Sequence, residues 1–196
     1  MNQTITVPEF NGLNVNATKD GGCYKEILEA LLTRLSTMRE RHGKVLVGRV
    51  DLHFPRNWHE DTDNDKISFF LARFMAAIRE TADAQYVAVR EQGEHHPHYH
   101  IVVLIDGQKH RNGFFMKPIA TRIWQNVLNR DATGLVEIIE PYFGNASGGF
   151  LIVRGSESEE WTANEAFSWC SYIAKTRSKI QNDGQRSLFC SMGGAR

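Results

Sequence analysis

The segment Glu91-Gln92-Gly93-Glu94-His95-His96-Pro97-His98-Tyr99-His100 packs four histidines and two glutamates into ten residues and runs directly into the apolar stretch Ile101–Ile105. An apolar run bounded by Gly and Pro reads as a buried strand. Side chains alternate along a strand, so His98 and His100 project from one face and Tyr99 from the other. Two imidazoles side by side on a rigid strand form half of a metal site. Glu91 follows the preceding apolar run Tyr86–Val89. A hairpin turning around Gly93 and Pro97 returns Glu91 to the side of both histidines. One carboxylate and two imidazoles leave positions open on a divalent ion, as catalysis requires. Histidine-rich turns also occur on surfaces that bind nothing. What favours a site here is the order of parts: carboxylate, tight turn, His-x-His, buried strand.

Two further groups could join it. Arg49, Asp51 and His53 alternate on one face of a β-branched run, Lys44 to Phe54, that Pro55 stops. A polar row on a core strand lines a site; on an edge strand it is merely a wet face, and the spacing allows both. Asp51 or His53 could replace or supplement Glu91 as a metal ligand, and Arg49 could meet a nucleic-acid phosphate. Farther along, Tyr172 is followed by Lys175 and Lys179, with Arg177 between them. On a continuous helix these lysines fall one and two turns beyond the ring. Tyrosine, with a free pKa near ~10, is a poor nucleophile. It becomes useful where positive charge favours the phenolate and the electrophile is activated. A phosphodiester beside a divalent ion is such an electrophile. The product is a phosphotyrosine link to DNA and a freed 3′-hydroxyl, a reaction that can run backwards to rejoin strands. Lys175 assists the phenol or holds the phosphate, and Lys179 and Arg177 add DNA-binding charge.

These residues need elements to position them. Residues 1 to about 21 are polar and read as an arm. The three-four spacing of Ile27, Leu28, Leu31, Leu32, Leu35 and Met38 predicts an amphipathic helix from about Cys23 to Arg41, ended by His42-Gly43. The strand Lys44–Phe54 follows, then an acidic loop, Asn57 to Asp65, leading into a helix to about Ala82. Acidic residues there suit the positive end of that helix. Gln85–Arg90 and Tyr99–Asp106 form the hairpin. Arg111–Phe115 reads as a loop, Pro118 to about Arg130 as a helix, and Gly134–Glu140 as a strand. The glycine-rich loop Gly144–Gly149 has no Gly-Lys-Ser/Thr and so is no Walker loop. Gly149–Val153 is a short strand, Glu157–Glu160 a charged exposed stretch, and Asn164 to Lys179 the last helix. The tail from Asn182 onward reads as loop. Helix, β-α-β-β-α-β(-β), helix is economically solved as an α+β domain with one antiparallel sheet flanked by helices. The expected division is an N-terminal arm and helix, 1–43, and a nuclease-like domain, 44–196.

Lys+Arg and Asp+Glu balance at 23 each, so any nucleic-acid surface must be local. Three scattered cysteines without a CxxC pair suggest neither a disulfide framework nor a zinc ribbon, and fit a reducing cytoplasm. No run approaches the ~18 apolar residues of a membrane span, and the start lacks a signal-peptide pattern.

His98-Tyr99-His100 resembles the His-hydrophobic-His signature of the HUH endonucleases, the rolling-circle Rep and relaxase superfamily. Tyr172-Ile173-Ala174-Lys175 resembles their Tyr-x-x-Lys motif, and Glu91 the third metal ligand of parvoviral Rep nuclease domains. More specifically, Arg49–Pro55, Tyr99–Val102, Tyr172–Lys175 and Arg186–Ser191 resemble the inovirus-type replication protein family, the YagK/YfjJ C-terminal domain, over roughly residues 44 to 194. The resemblance implies an RRM-like central sheet, to which the helix at about 23–41 is an N-terminal extra, together with Mg²⁺ or Mn²⁺ and nicking of single-stranded DNA at a replication origin or hairpin. With no helicase motif in the chain, unwinding falls to a partner, a host helicase. Two rival readings are a non-catalytic nucleic-acid-binding prophage regulator on the same sheet, and a structural protein with a surface histidine cluster.

Overall fold

A computed structural model of the chain describes residues 3–16, 21–142, 147–177, 179 and 184–191. Part of the N-terminal arm, half of the glycine-rich loop (144–146) and the tail at Asn182-Asp183 and Gly193–Arg196 lie outside the described residues. In chain order the elements are β1 (Thr4–Ile5), β2 (Glu9–Phe10), β3 (Leu13–Asn14), β4 (Cys23–Tyr24), α1 (Lys25–Arg41), β5 (Lys44–Leu52), α2 (Asn64–Arg79), β6 (Ala84–Gln92), β7 (Pro97–Asp106), α3 (Met116–Leu128), β8 (Val136–Ile138), β9 (Gly149–Val153), α4 (Glu159–Ser171) and β10 (Leu188–Cys190). A 3-10 turn, Gly113–Phe115, precedes α3 where a loop is expected from sequence, and another, Tyr172–Ala174, follows α4.

The main sheet has six strands in the order β10-β6-β7-β5-β8, with β9 also paired to β5, and every pairing is antiparallel. β5 is therefore central, and the wet-edge reading of its polar row is overturned: Arg49 and Asp51 are buried. The tail also departs from expectation. Leu188–Cys190 is an edge strand on β6, because Phe189 has an apolar slot to fill and is buried there. The arm contributes Phe10 and Val15 to the core and pairs Ile5 with Cys23.

Alternation along β5, β6 and β7 sends side chains to two cores. One face (Leu46, Val50, Ala88, Tyr99, Ile101, Val103) packs on α2 and α3, with Phe70, Phe74 and Trp124 fully buried. Burying each such large side chain contributes roughly 1.5–3 kcal/mol. The other face (Val45, Val47, Val87, Val89, Val102, Leu104) packs on α1 and α4. α2 starts where expected from the acidic loop: Asp63 caps it by accepting from the Asp65 N–H at 3.1 Å. Trp124 Nε1 donates to the His53 carbonyl at 2.8 Å, which ties α3 to the end of β5.

The last helix differs most from its expected span. It starts at Glu159, where Arg39 pairs with Glu159 and Glu160, and its α-helical part ends at Ser171. Lys175 is already extended (φ −50°, ψ 142°) and bridges to Cys23, and Lys179 bridges to Glu91. The two lysines thus do not follow Tyr172 on successive helical turns.

Candidate metal centre

The hairpin register places Glu91 directly opposite His98 and Val89 opposite His100; on the other side of β7, Asp51 stands opposite His100. Directly opposed residues share a face, so Glu91, His98, His100 and Asp51 all point toward the α1/α4 side. The turn is closed by the Gly93 N–H donating to the His96 carbonyl at 3.1 Å. A Cβ on Gly93 would collide with that carbonyl and crowd His98 Nδ1 at 3.1 Å, so glycine is needed for the imidazole to lie as it does.

The two Nε2 atoms of His98 and His100 face each other at 3.1 Å. Glu91 Oε2 lies 3.7 Å from His98 Nε2 and 3.3 Å from His100 Nε2. Ligands about 2.1 Å from an octahedral ion stand about 3.0 Å apart at adjacent corners. The triangle of 3.1, 3.3 and 3.7 Å is close to one such face, so Glu91, His98 and His100 form a buried group that could hold a metal ion. Both Nε2 lone pairs must then turn inward, with each ring proton on Nδ1. His100 Nδ1 lies 2.7 Å from Asp51 Oδ2, which favours that tautomer, although the ring N–H is poorly aligned for a hydrogen bond. Asp51 is held in turn by Arg49, whose Nε and Nη2 each donate to it at 3.3 Å. Asp51 thus stands behind His100 and outside the triad. His53 is outside it as well, stacked on His98 with ring centroids 5.4 Å apart.

Electrostatics follow from this packing. Burial pushes the Glu91 carboxyl up, but the contact with His100 and the charge of Lys179 outweigh it, and the group is held well below the usual carboxylate range. Asp51 is lowered in the same way, with His100 and Arg49 outweighing burial. Burial and the neighbouring His100 push His98 down to about 4, so its imidazole is neutral at ordinary pH and its Nε2 can donate a lone pair. Lys175 Nζ lies 3.3 Å from Glu91 Oε2, and Lys179 pairs with Oε1 of the same carboxylate. Burial brings Lys179 down to about 8.

Tyr172 sits at the rim of this group, half-buried, its ring edge-on to His100 with centroids 6.2 Å apart. Lys175 Nζ lies 3.8 Å from the ring centroid and Arg49 Cζ 4.9 Å from it. Both lysines lie beyond the 3-10 turn that follows α4, Lys175 at its bridge to Cys23 and Lys179 at its bridge to Glu91. Arg177 is exposed. Trp169, which none of the motifs points to, also has its ring under Arg49, at 5.9 Å. The signal was available: Glu165, Trp169 and Tyr172 recur at helical spacing.

A buried Glu-His-His group on a central antiparallel sheet, in an α+β domain, is thus the feature that marks this protein. The chain belongs to the YagK/YfjJ C-terminal domain family, whose profile matches residues 5–191. That span takes in the N-terminal arm and α1 as well as the sheet. The chain is also similar to YfjJ, an uncharacterized protein of Escherichia coli (strain K12), with 24% identity over 189 residues, covering 78% of this chain and 86% of the relative. Among the described residues no helix is long and apolar enough to cross a membrane.

Proposed function

We propose that this protein nicks and rejoins single-stranded DNA through a covalent 5′-phosphotyrosine, as an HUH endonuclease does, and so initiates rolling-circle-type replication of a phage or prophage element in the cytoplasm. The observation that carries the reading is the convergence of two imidazole Nε2 atoms and a carboxylate oxygen beside the rim of a half-buried tyrosine. The strand order β8-β5-β7-β6, with α2 and α3 as the crossovers, supports an RRM-like, Rep-type arrangement.

Glu91, His98 and His100 would hold the ion, Mg²⁺ or Mn²⁺, which when bound draws charge from the non-bridging oxygens of a phosphodiester. The chain's own groups do the rest. Tyr172 Oη loses its proton and bonds to phosphorus as the bond from phosphorus to O3′ breaks. The leaving O3′ takes up a proton and becomes a free hydroxyl. Lys175 and Arg49 hold positive charge against the ring, where negative charge develops as the phenolic proton departs. Attack of a 3′-hydroxyl on the phosphotyrosine reverses the sequence and rejoins the strand. Strand separation at the origin or hairpin would come from a host helicase.

The test is a single-stranded origin oligonucleotide incubated with protein and Mn²⁺. The expected product is a protein–DNA adduct that survives denaturation, is lost on chelation and is absent from Tyr172→Phe. An adduct formed equally well by Tyr172→Phe would overturn the assignment of the nucleophile. One observation favours a second reading, a non-catalytic nucleic-acid-binding regulator. Glu91 already meets two ammonium groups, Lys175 and Lys179, and so is neutralised without a metal ion. In that case DNA binding survives chelation and no metal yields cleavage.

A further inference from the structure

Beside the metal centre lies a cavity of about 230 Å³, bounded by α4, β5 and β9. Its walls include Arg49, Phe150, Glu165, Ser168, Trp169 and Tyr172. Positions three and four apart on a helix share a face, so Glu165, Ser168, Trp169 and Tyr172 form one stripe along α4 into the turn that follows it. That stripe faces Phe150 of β9 and Arg49 of β5. Trp169 and Phe150 meet edge to face, with centroids 5.7 Å apart and planes at 69°. Arg49, fixed by Asp51, lies under both Trp169 and Tyr172.

We propose that this cavity takes one unpaired nucleobase of the bound strand, and that Glu165 selects a base with an exocyclic amino group over thymine. The inference rests on the single-stranded-DNA reading and deepens it. Drug-sized ligands need cavities of roughly 300–1,000 Å³, so this one suits a single planar ring. Aromatic side chains and a guanidinium plane are the usual stacking partners of an unstacked base. The cavity shares Tyr172 with the proposed reaction, so a base held here fixes the neighbouring phosphate near the phenol. Glu165 has no ion-pair partner among the described residues. A carboxylate accepts from the amino group of cytosine, adenine or guanine. Thymine offers one N–H flanked by two carbonyls, whose lone pairs repel it.

The experiment measures binding of short oligodeoxycytidine and oligothymidine strands by fluorescence anisotropy in chelator, so that no nicking contributes. The intact protein is expected to prefer the cytosine strand by about tenfold. Glu165→Gln is expected to erase that preference, since an amide can both donate and accept, without weakening the thymidine strand. Trp169→Ala is expected to weaken both strands about tenfold, and Trp169→Phe, which keeps a stacking face and guards against misfolding, to restore most of that loss. Equal affinity for the two strands, or a preference that survives Glu165→Gln, overturns the proposal while leaving the nickase reading intact. A preference lost in Glu165→Gln, together with no adduct under any metal, upholds the cavity and removes the nickase. Free deoxycytidine monophosphate binding as tightly as the strand would assign the cavity to a free nucleotide and overturn the proposal.

Discussion

Asp51 faces His100 across the β5–β7 pair, with its Oδ2 2.7 Å from the ring Nδ1. The contact favours the proton on Nδ1 of His100 and so leaves Nε2 free to face Glu91. Partners of this kind, one step behind a metal ligand, typically change affinity by 10–100-fold when removed. Asp51→Asn is therefore expected to weaken Mn²⁺ binding by roughly 10–100-fold, measured by isothermal titration calorimetry. Unchanged affinity would mean that His100 is oriented by its packing alone.

A cation held only by the folded chain must stabilise it. At a concentration of 100 times Kd the gain is about 2.7 kcal/mol. For a chain of 196 residues each kcal/mol shifts the melting midpoint by roughly 2–4 °C. Saturating Mn²⁺ should thus raise the midpoint by roughly 5–10 °C, and chelation should reverse it. His98→Ala should abolish the shift, because one imidazole and one carboxylate make a far weaker site. A full shift in His98→Ala would place the ion elsewhere.

Much of this centre was legible in the sequence. The Gly93–Pro97 turn and the alternation of His98 and His100 predict the hairpin register, because a slip of one residue would send every side chain to the wrong face. The α+β class follows from the order of elements. Three features were not legible. Asp51 lies behind His100 and outside the Glu91-His98-His100 group, a placement that sequence spacing cannot separate from membership of it. The end of α4 at Ser171 carries no Gly or Pro signal; the chain leaves the helix to bridge Cys23 and Glu91, contacts far away in sequence. The edge strand Leu188–Cys190 is three residues long, too short for periodicity to show.

Acid should unfold the metal-free protein in a defined window. His98 titrates near 4 when folded and near 6.5 when unfolded. Its folded value is depressed, so on acidification the unfolded chain takes up a proton first and stability falls from about pH 6.5 down to about pH 4. At about 1.4 kcal/mol per pH unit, His98 alone costs about 2 kcal/mol between pH 6.5 and 5. Glu91, also lowered, adds to the loss only as the pH nears the ordinary carboxylate range. Lys179, near 8, is protonated in both states throughout and adds no slope there. Urea unfolding at the two pH values checks this, and His98→Gln should flatten the dependence. A variant as acid-sensitive as the parent would assign the effect to other groups.

The pairing of Glu91 with two lysines sets the two ends of one interaction apart. Glu91→Gln leaves two buried ammonium groups without their carboxylate. Removing one partner of a buried ion pair costs roughly 3–5 kcal/mol, so this variant should be strongly destabilised. Lys179→Met removes a charge that burial already disfavours and leaves Glu91 paired with Lys175, so its cost should be clearly smaller. The metal responses should be opposite in sign. Without Glu91 the ion loses a charged ligand and binding should fall below detection. Without Lys179 a cation no longer competes for the same carboxylate, and Mn²⁺ affinity should rise. Calorimetric titration of both variants, alongside urea unfolding, reads the two effects separately. Weaker binding in Lys179→Met would show that the lysine positions Glu91 for the ion rather than competing with it.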